Sequence, residues 1–286
     1  MLKFGDVRWA QKDGGPPMIF SAGRPPCESG VSVLRTRFEQ GAYFSMTPQQ
    51  HLIFLQMSPR LQIECRMGGQ TLRHEPSTGS LAICPAGLDC SAETNSTIDT
   101  LLIVIKPDHL ALAAAENSAL DAQLNERMTG YDQRLLDLAR LLAAENANGY
   151  RNGPLLWNEI ANGLISHLVH GHISTPDAPL RGRLGRHVLQ KIRDYILANL
   201  AEPIEVGDLA ALAGRSAFHF SRVFARSVGM TPYRYVVHLR LQAARRQISD
   251  GRMSLAEIAA DTGFADQSHL SRWIRRVHGV APSELS

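Results

Sequence analysis

The chain has 286 residues, of which 44% are hydrophobic and 20% are charged, the composition of a globular protein with a sizeable core. This length corresponds to about two domains of roughly 100–200 residues each. No apolar run approaches the roughly 20 residues that a membrane-spanning helix requires, and the first residues lack the apolar core of a signal peptide. Composition therefore argues against a membrane protein and predicts a cytoplasmic one.

The net charge of +3 conceals an asymmetry along the chain. Residues 181–286 carry 16 Lys and Arg against 9 Asp and Glu, a net charge of +7. Residues 1–180 carry 14 against 18, a net charge of −4. The excess predicts a polyanionic partner for the C-terminal part only, although solvated helix faces would also account for it.

Residues 31–105 have a sequence pattern typical of β-strands. Short runs of β-branched and large apolar residues occur at 31–38, 51–57, 61–66, 79–84 and 98–105, with turn residues between them. Gly68 and Gly69 predict a two-residue hairpin, because glycine accepts the positive φ that such a turn needs. Many short strands at this spacing predict a small barrel or a sandwich.

After Pro107 the sequence pattern becomes typical of α-helices. One helix carries an apolar stripe at helical spacing, formed by Leu135, Leu138, Leu141 and Leu142. A second helix begins at Pro154 and has its own stripe, formed by Leu155, Ile160, Leu164 and Leu168. These stripes are expected either to pair between two subunits or to pack against the chain's own strands.

The proposed domain bounds follow from these changes in the sequence pattern. Residues 174–179 hold two prolines and small polar residues, which indicates a linker. We expect a first domain over 1–175 (barrel about 20–106, helices about 107–172), a linker over 176–183 and a second domain over 184–286.

One sequence pattern occurs twice in the last third of the chain. Residues 208–232 and 257–282 share, in order, an apolar helix ending in glycine, a helix that carries Ser-Arg, a further glycine and a proline. The offset between the two copies is 49 and grows to 50. Such self-similarity is not expected by chance, and its order of elements is that of a helix-turn-helix motif. The chain is therefore predicted to hold two such motifs.

In the first motif, Gly214 is predicted to end one helix and Ser216 to cap the next. Phe220, Val223 and Phe224 share one face of that second helix and are expected to enter the core. The opposite side then carries the predicted DNA contacts Phe218, Ser221, Arg222 and Arg226. Outward Arg and Ser side chains suit the major groove, where Arg reaches guanine O6 and N7 or a phosphate.

The second motif opens with a capping box at Ser254 and has Gly263 as its turn glycine. Its predicted DNA contacts are Gln267, Ser268, His269, Ser271 and Arg272. His219 and His269 occupy equivalent positions, but no cysteine or second histidine lies near either at ligand spacing. No metal is therefore expected at these positions.

A long helix is predicted between the two motifs, from Pro232 to about Ile248, with Thr231 as its cap. Its inward side chains are predicted to be Tyr235, Val236, Leu239 and Ala243. Arg240 is expected to be either a phosphate contact or a plain solvated charge. Two recognition helices joined in this way suit two successive major grooves, about 34 Å apart.

The doubled motif resembles the AraC family of bacterial transcription regulators over residues 184–286. The most specific segments are 209–214, 220–224, 229–235, 257–259 and 263–272. The resemblance implies that Phe218, Ser221 and Arg222 read bases in the first motif, and Gln267, Ser268, His269, Ser271 and Arg272 in the second. Three positions differ from the family: Ile274 and Leu285 stand where aromatic residues are usual, and Glu205 replaces a small polar cap.

Residues 78–87 look like one strand of a cupin-like sensing barrel. The implied fold is α+β: a cupin-like N-terminal β-barrel followed by helices, then an all-α domain with two helix-turn-helix motifs. Such a first domain often binds a small effector or mediates dimerisation, and the candidate effector contacts are His51, Gln56, Arg66 and His74. Cupin enzymes hold a metal through a His-x-His pair, which is absent from residues 31–105. Neither a metal nor another cofactor is expected.

The leading interpretation is a non-enzymatic, homodimeric transcription regulator that binds promoter DNA and contacts RNA polymerase. The resemblance favours an activator over a repressor.

A second interpretation is a DNA-repair alkyl-acceptor enzyme with a fused AraC-like segment. Its reactive cysteine would need a metal or a basic neighbour; Cys65 precedes Arg66 but has no further ligand, and Cys84 precedes Pro85 within an apolar strand, so neither is expected to be activated. The cysteines, including Cys27 and Cys90, are instead expected to be buried apolar residues. A third interpretation is a regulator without an effector, in which the barrel only dimerises.

Overall fold

The computed structural model describes residues 2–4, 7–11, 18–22, 25–26, 29–39, 41–116, 119, 122–174 and 182–285. Of these, residues 2–4, 7–11, 21, 22 and 116 are described by their backbone only. Most of the expected linker over 176–183 and Cys27 lie outside the described residues. The chain divides into two compact units. One comprises Met1–Leu110 and Gln123–Ser174, and the other Ala111–Ala122 and Thr175–Ser286.

The grouping of Ala111–Ala122 differs from the bounds proposed from the sequence, which assigned residues 107–172 to the first domain. The reason is apolar packing. Leu112 and Ala115 contact the core of the C-terminal unit, and Arg193 Nη1 donates a hydrogen bond to Ala115 O at 2.8 Å.

The first unit is built mainly of antiparallel strands. In chain order these are β1 (Leu2–Phe4), β2 (Val7–Gln11), β3 (Met18–Ala22), β4 (Val31–Phe38), β5 (Ala42–Met46), β6 (His51–Gln56), β7 (Ile63–Met67), β8 (Gln70–His74), β9 (Leu81–Cys84), β10 (Cys90–Thr94) and β11 (Ile98–Ile105). The predicted hairpin is confirmed: Met67 pairs with Gln70, and Gly68 and Gly69 take φ values of 54° and 82°.

These strands form two sheets, ordered β1–β2–β5–β10–β7–β8 and β3–β4–β11–β6–β9. The α+β class is confirmed, but closure into a barrel is not seen: among the described strands, no pairing joins one sheet to the other. The apolar core draws on both sheets, with Phe44 and Met67 from the first and Leu34, Leu52 and Leu102 from the second. The arrangement is therefore open, with two sheets sharing one core, which was the sandwich alternative.

Helices cover the second sheet. After α1 (Pro107–Glu116) and β12 (Gln123–Leu124) come α2 (Gln133–Ala147), α3 (Gly153–Gly171) and β13 (Ile173–Ser174). Helix α2 packs on β4 and β11, which explains why every residue of β11 is buried. Leu135, Leu142, Leu164 and Leu168 are buried within the unit, whereas Leu141 and Leu155 are exposed. Both apolar stripes are therefore used in the unit's own core for the most part.

The second unit contains α4 (Arg186–Ala198), α5 (Val206–Leu212), α6 (Ala217–Val228), α7 (Pro232–Asp250), α8 (Leu255–Asp261), α9 (Gln267–His278) and a final 3-10 turn (Pro282–Glu284). Two separate apolar cores lie on α7. Tyr235, Val236 and Leu239 belong to the core with α4–α6, whereas Val237 and Leu241 belong to the core with α8 and α9. Among the described helices, none has the length and apolarity needed to span a membrane.

The burial of α7 departs from the sequence prediction at one position. Ala244 is fully buried in the second core, whereas Ala243 is only half-buried. The prediction placed a single apolar face on this helix. The helix serves two cores, so its buried positions follow two faces rather than one.

Candidate nucleic-acid interface

The first motif consists of α5 and α6. Gly214 takes φ +61° after α5, and the Ser216 side chain accepts a hydrogen bond from the His219 N–H at the start of α6. The N-terminus of α5 is closed within its first turn, because the Asp208 carboxylate accepts the Glu205 N–H at 3.1 Å. Glu205 at this position is therefore compatible with a capped helix.

The outward side of α6 matches the sequence prediction in exposure. Phe218 is 76% exposed, and Arg222 and Arg226 are also exposed. The Arg222 guanidinium lies 6.0 Å from the centroid of the Phe218 ring, so the two side chains form one surface. Ser221 is half-buried and its hydroxyl donates to Ala217 O at 2.9 Å. Phe218, Arg222 and Arg226 are thus the exposed candidates on this helix.

The second motif consists of α8 and α9. Ser254 and Glu257 form the predicted capping box, and Asp266 Oδ1 accepts the His269 N–H at 2.7 Å. Gln267, Ser268 and Arg272 are exposed, whereas His269 and Ser271 are half-buried. Ile274 is buried in the second core, so an aliphatic side chain fills that position.

His269 is engaged within the motif. Its Nε2 accepts from Trp273 Nε1–H at 3.0 Å, its Nδ1 lies 3.4 Å from the Ala265 N–H, and its ring meets Phe264 edge-on. A neutral imidazole has one acceptor nitrogen, so only one of these two bonds forms at a time. These contacts fix the ring in the turn, which leaves Gln267, Ser268 and Arg272 as the freer polar groups.

Arg276 is a candidate that the sequence prediction did not include. It is exposed on α9, at the offset of 50 from Arg226, and its guanidinium lies 5.4 Å from the centroid of the Trp273 ring. The internal repeat was the available signal, since it places Arg276 where the first motif has Arg226. Arg276 therefore joins the basic surface of α9.

Arg240 on α7 ties the two motifs together. Its Nη2 donates to Glu202 O at 2.7 Å, in the connection before α5, and its Nη1 donates to Gly263 O at 2.8 Å, in the turn between α8 and α9. Burial lowers the pKa of the Arg240 guanidinium. Arg240 thus contacts two backbone carbonyls, rather than being a phosphate contact or a solvated charge.

Removal of the Arg240 guanidinium is expected to destabilise the unit. Arg240→Met keeps the apolar stem but deletes two charge-assisted hydrogen bonds, so we expect a loss of about 2–3 kcal/mol in the free energy of unfolding. The exposed Arg246 on the same helix is the matched control, and Arg246→Met should change stability by less than about 0.5 kcal/mol. Urea unfolding of the two variants measures the difference, and equal midpoints would rule out the bridging role.

The four candidate effector contacts in the first unit do not lie together. His51 Nδ1 accepts the Ala86 N–H at 3.0 Å, and burial lowers the pKa of His51 to about 4. Arg66 is exposed and pairs with Glu64 at 2.7 Å. Gln56 and His74 line a cavity, whereas the other two do not. The structure therefore brings together two of the four predicted residues.

This cavity has a volume of about 80 Å³ and a mostly apolar lining from both sheets, including Phe44, Phe54 and Met67. Gln56 Nε2 is used internally, donating to Pro59 O and Pro76 O. His74 Nδ1, in contrast, is buried without a hydrogen-bond partner among the described residues, and burial lowers the pKa of this imidazole. The cavity can accommodate a small apolar group beside one available polar atom.

The described cysteines have no sign of activation. Cys65, Cys84 and Cys90 are buried and unpaired as thiols. Burial raises the pKa of Cys65 to about 11, and the hydrogen bond with Cys90, together with burial, raises the pKa of Cys84. A nucleophilic cysteine needs a lowered pKa, so Cys65 and Cys84 are unsuited to alkyl transfer.

Comparison with known proteins agrees with the geometry of the second unit. The sequence profile of a helix-turn-helix domain family matches residues 209–286. The transcriptional regulator Rv1931c of Mycobacterium tuberculosis is 42% identical over 80 residues, which are 28% of this chain and 30% of that protein. GbdR, a transcriptional regulator of Pseudomonas aeruginosa, is 30% identical over 138 residues, which are 48% of this chain and 38% of GbdR.

The chain thus spans less than half the length of these two curated relatives. The crystal structure of ToxT from Vibrio cholerae aligns with 90% of this chain and 97% of its own, at 14% identity and a TM-score of 0.37. The two capped motifs, their shared helix and the matched profile define a double helix-turn-helix domain. The C-terminal unit is therefore a helix-turn-helix DNA-binding domain of the AraC type.

Proposed function

We propose that this protein is a sequence-specific transcription regulator that reads promoter DNA through α6 and α9. The observation that carries the proposal is the pair of exposed polar surfaces, Phe218 with Arg222 and Gln267 with Arg272, on two helices held by one connecting helix. Arg side chains at these positions suit guanine edges, and Gln suits adenine. The net charge of +7 over residues 181–286 favours the DNA backbone as a partner.

The bridge formed by Arg240 supports simultaneous reading by both helices. Arg240 on α7 bonds one backbone carbonyl beside each motif and so fixes the two motifs against each other. Binding of α6 in one major groove then pre-positions α9 for a neighbouring one. The second contact is then made at a smaller entropic cost than by an independent domain. We therefore expect a bipartite operator with its two parts about one helical turn apart.

Selection of genomic fragments by the purified full chain tests this function. The expected result is a recurrent motif with two conserved blocks about 10–10.5 base pairs apart, bound more tightly than unrelated DNA by about 10³-fold or more at physiological salt. Enrichment without any shared motif, or affinity that is equal for all sequences, would contradict a sequence-specific regulator.

Activation is proposed as the outcome of binding, through contact with RNA polymerase at the promoter. In vitro transcription from a selected operator is expected to rise when the protein is added. A fall in transcription with intact DNA binding would assign repression instead.

Light scattering of the free and DNA-bound protein tests the proposed homodimer. Because both helical stripes are largely buried, a second copy would have to use residual exposed positions such as Leu141, which is 52% exposed.

The first unit is proposed to sense a small, largely apolar effector in the cavity between its sheets. The apolar lining and the unpartnered His74 Nδ1 support a ligand that has one hydrogen-bonding group. The volume of about 80 Å³ is below the roughly 300–1,000 Å³ of typical ligand pockets, so the ligand must be small or must separate the sheets.

A thermal-shift screen of short fatty acids and small aromatic acids tests this cavity. A ligand at 100 times its Kd should stabilise the protein by about 2.7 kcal/mol, which is readily seen as a rise in Tm. We expect His74→Ala to abolish the response and Arg66→Gln, at an exposed position off the cavity, to preserve it. A lack of response to any compound would favour the alternative in which the first unit acts without an effector.

A further inference from the structure

Three side chains from two separate segments of the first unit meet at one point. Asp132 precedes α2, His167 lies in the last turns of α3, and His172 follows the end of α3. Nε2 of His167 and Nε2 of His172 each lie 2.8 Å from the same oxygen, Asp132 Oδ2. The two imidazole rings stand 5.9 Å apart, edge to face.

The backbone holds each of these side chains in place. Asp132 Oδ1 accepts the Leu135 N–H at 2.9 Å, which fixes the carboxylate as the cap of α2 and leaves Oδ2 for the histidines. The His172 N–H donates to Leu168 O at 2.8 Å, and its carbonyl accepts the Asn125 N–H at 2.8 Å. The second bond is continuous with the pairing of β12 and β13. The cluster is therefore preorganised by a helix start, a helix end and a short ladder.

We propose that Asp132, His167 and His172 bind a divalent transition-metal ion, with Zn²⁺ best matched by the donor set. Each residue offers one ligand atom, and the three atoms lie within 4.8 Å of one another. Two imidazole nitrogens and one carboxylate oxygen are ligands that zinc takes at about 2.0–2.2 Å. Tetrahedral bonds of that length need ligand atoms about 3.3–3.5 Å apart, so each oxygen–nitrogen separation of 2.8 Å must widen by about 0.5–0.7 Å.

Coordination requires a change at each imidazole. Both Nε2 atoms lie at hydrogen-bond distance from Asp132 Oδ2. An Nε2 that ligates the ion must offer its lone pair, so any proton held there passes to Nδ1 or to solvent. His172 is 6% exposed at its side chain, whereas those of His167 and Asp132 are 23% and 17% exposed. The side facing solvent leaves the fourth position to water, as in zinc sites with three protein ligands.

The alternative for the same geometry is a purely structural hydrogen-bonded triad, in which Asp132 accepts from both histidines and no ion binds. The two readings differ in one measurable respect, the affinity for metal. A bound ion would join the start of α2 to the end of α3, so it would also stabilise the first unit. This inference does not depend on DNA recognition, because all three ligands lie in the first unit.

Metal titration of the full chain tests the site. After treatment with EDTA and its removal, the protein is titrated with Zn²⁺ against a chromophoric chelator, and separately with Co²⁺ followed by visible absorption. We expect one tight equivalent of Zn²⁺, a d–d absorption typical of tetrahedral Co²⁺ and a rise in Tm. His167→Gln and Asp132→Asn should each weaken binding at least tenfold, since each removes one protein ligand.

His170→Gln is the matched control for adventitious binding by surface histidines. His170 lies on the same helix, is exposed, and directs Nδ1 to Ser166 O at 2.7 Å rather than to the cluster. This variant should keep the wild-type affinity and the Co²⁺ spectrum. Circular dichroism verifies that each variant is folded. If the wild-type protein binds no tight equivalent, or if His170→Gln and His167→Gln lose affinity equally, the metal site is refuted and the triad is structural.

Discussion

Arg222→Ala and Arg272→Ala are each expected to weaken binding to the selected operator by about 1–3 kcal/mol, or roughly 5- to 150-fold, if each guanidinium makes a bidentate base contact. Both side chains are exposed on the N-terminal halves of α6 and α9, so neither substitution creates a cavity. Fluorescence anisotropy with a labelled operator at fixed salt measures the loss.

A base-specific contact predicts a loss of sequence discrimination in addition to a loss of affinity. When the base pair read by one arginine is replaced in the operator, the wild-type protein and the matching Ala variant should bind that DNA equally. A phosphate contact would instead weaken binding to every sequence and lower the salt dependence by about one counterion. Wild-type affinity in both variants would remove α6 and α9 from the recognition surface.

Gly263→Ala is expected to destabilise the C-terminal unit by about 2–5 kcal/mol. Gly263 has φ +74°, where a side chain costs about 1–2 kcal/mol. An added Cβ would also lie 2.1 Å from Leu200 O and 2.6 Å from Arg240 Cζ, and overpacking of this kind costs about 1–3 kcal/mol more. Urea unfolding followed by helical circular dichroism measures the change.

The first motif supplies the control for that substitution. Gly214 occupies the equivalent turn with φ +61°, but nothing lies within 4 Å of the position of an added Cβ. Gly214→Ala should therefore cost only the conformational term of about 1–2 kcal/mol. Equal losses in the two variants would show that the close approach of Leu200 O does not constrain the second motif.

Local patterns in the sequence were sufficient for much of the fold. Strand β11 runs over Ile98–Ile105, as its continuous apolar run predicts, and the Gly-Gly hairpin between β7 and β8 was also foreseen. Strands β5 and β10 were missed, because Ala42–Met46 and Cys90–Thr94 mix exposed polar residues with short apolar ones. Both strands lie inside the sheet order, with a partner on each side, and such segments become strands only through those partners.

The histidine cluster shows the limit of reading residues in order. His167, His170 and His172 lie within six positions of one another, and that run is visible in the sequence. Two of them converge on Asp132 and the third points to its own helix backbone. The helix end at His172 and the pairing of α2 with α3 decide which two converge, and both are tertiary features.

The sequence by itself determined the doubled motif, its caps and its outward side chains, because these depend on contacts within a few residues of one another. Only the tertiary structure decided that Arg240 joins the two motifs, that α7 faces two cores, and that the strands form an open pair of sheets. Those outcomes depend on groups far apart in the chain: Arg240 meets Glu202 and Gly263 across 38 and 23 positions. A local sequence pattern cannot predict contacts between residues so far apart in the chain, so only the tertiary packing decides them.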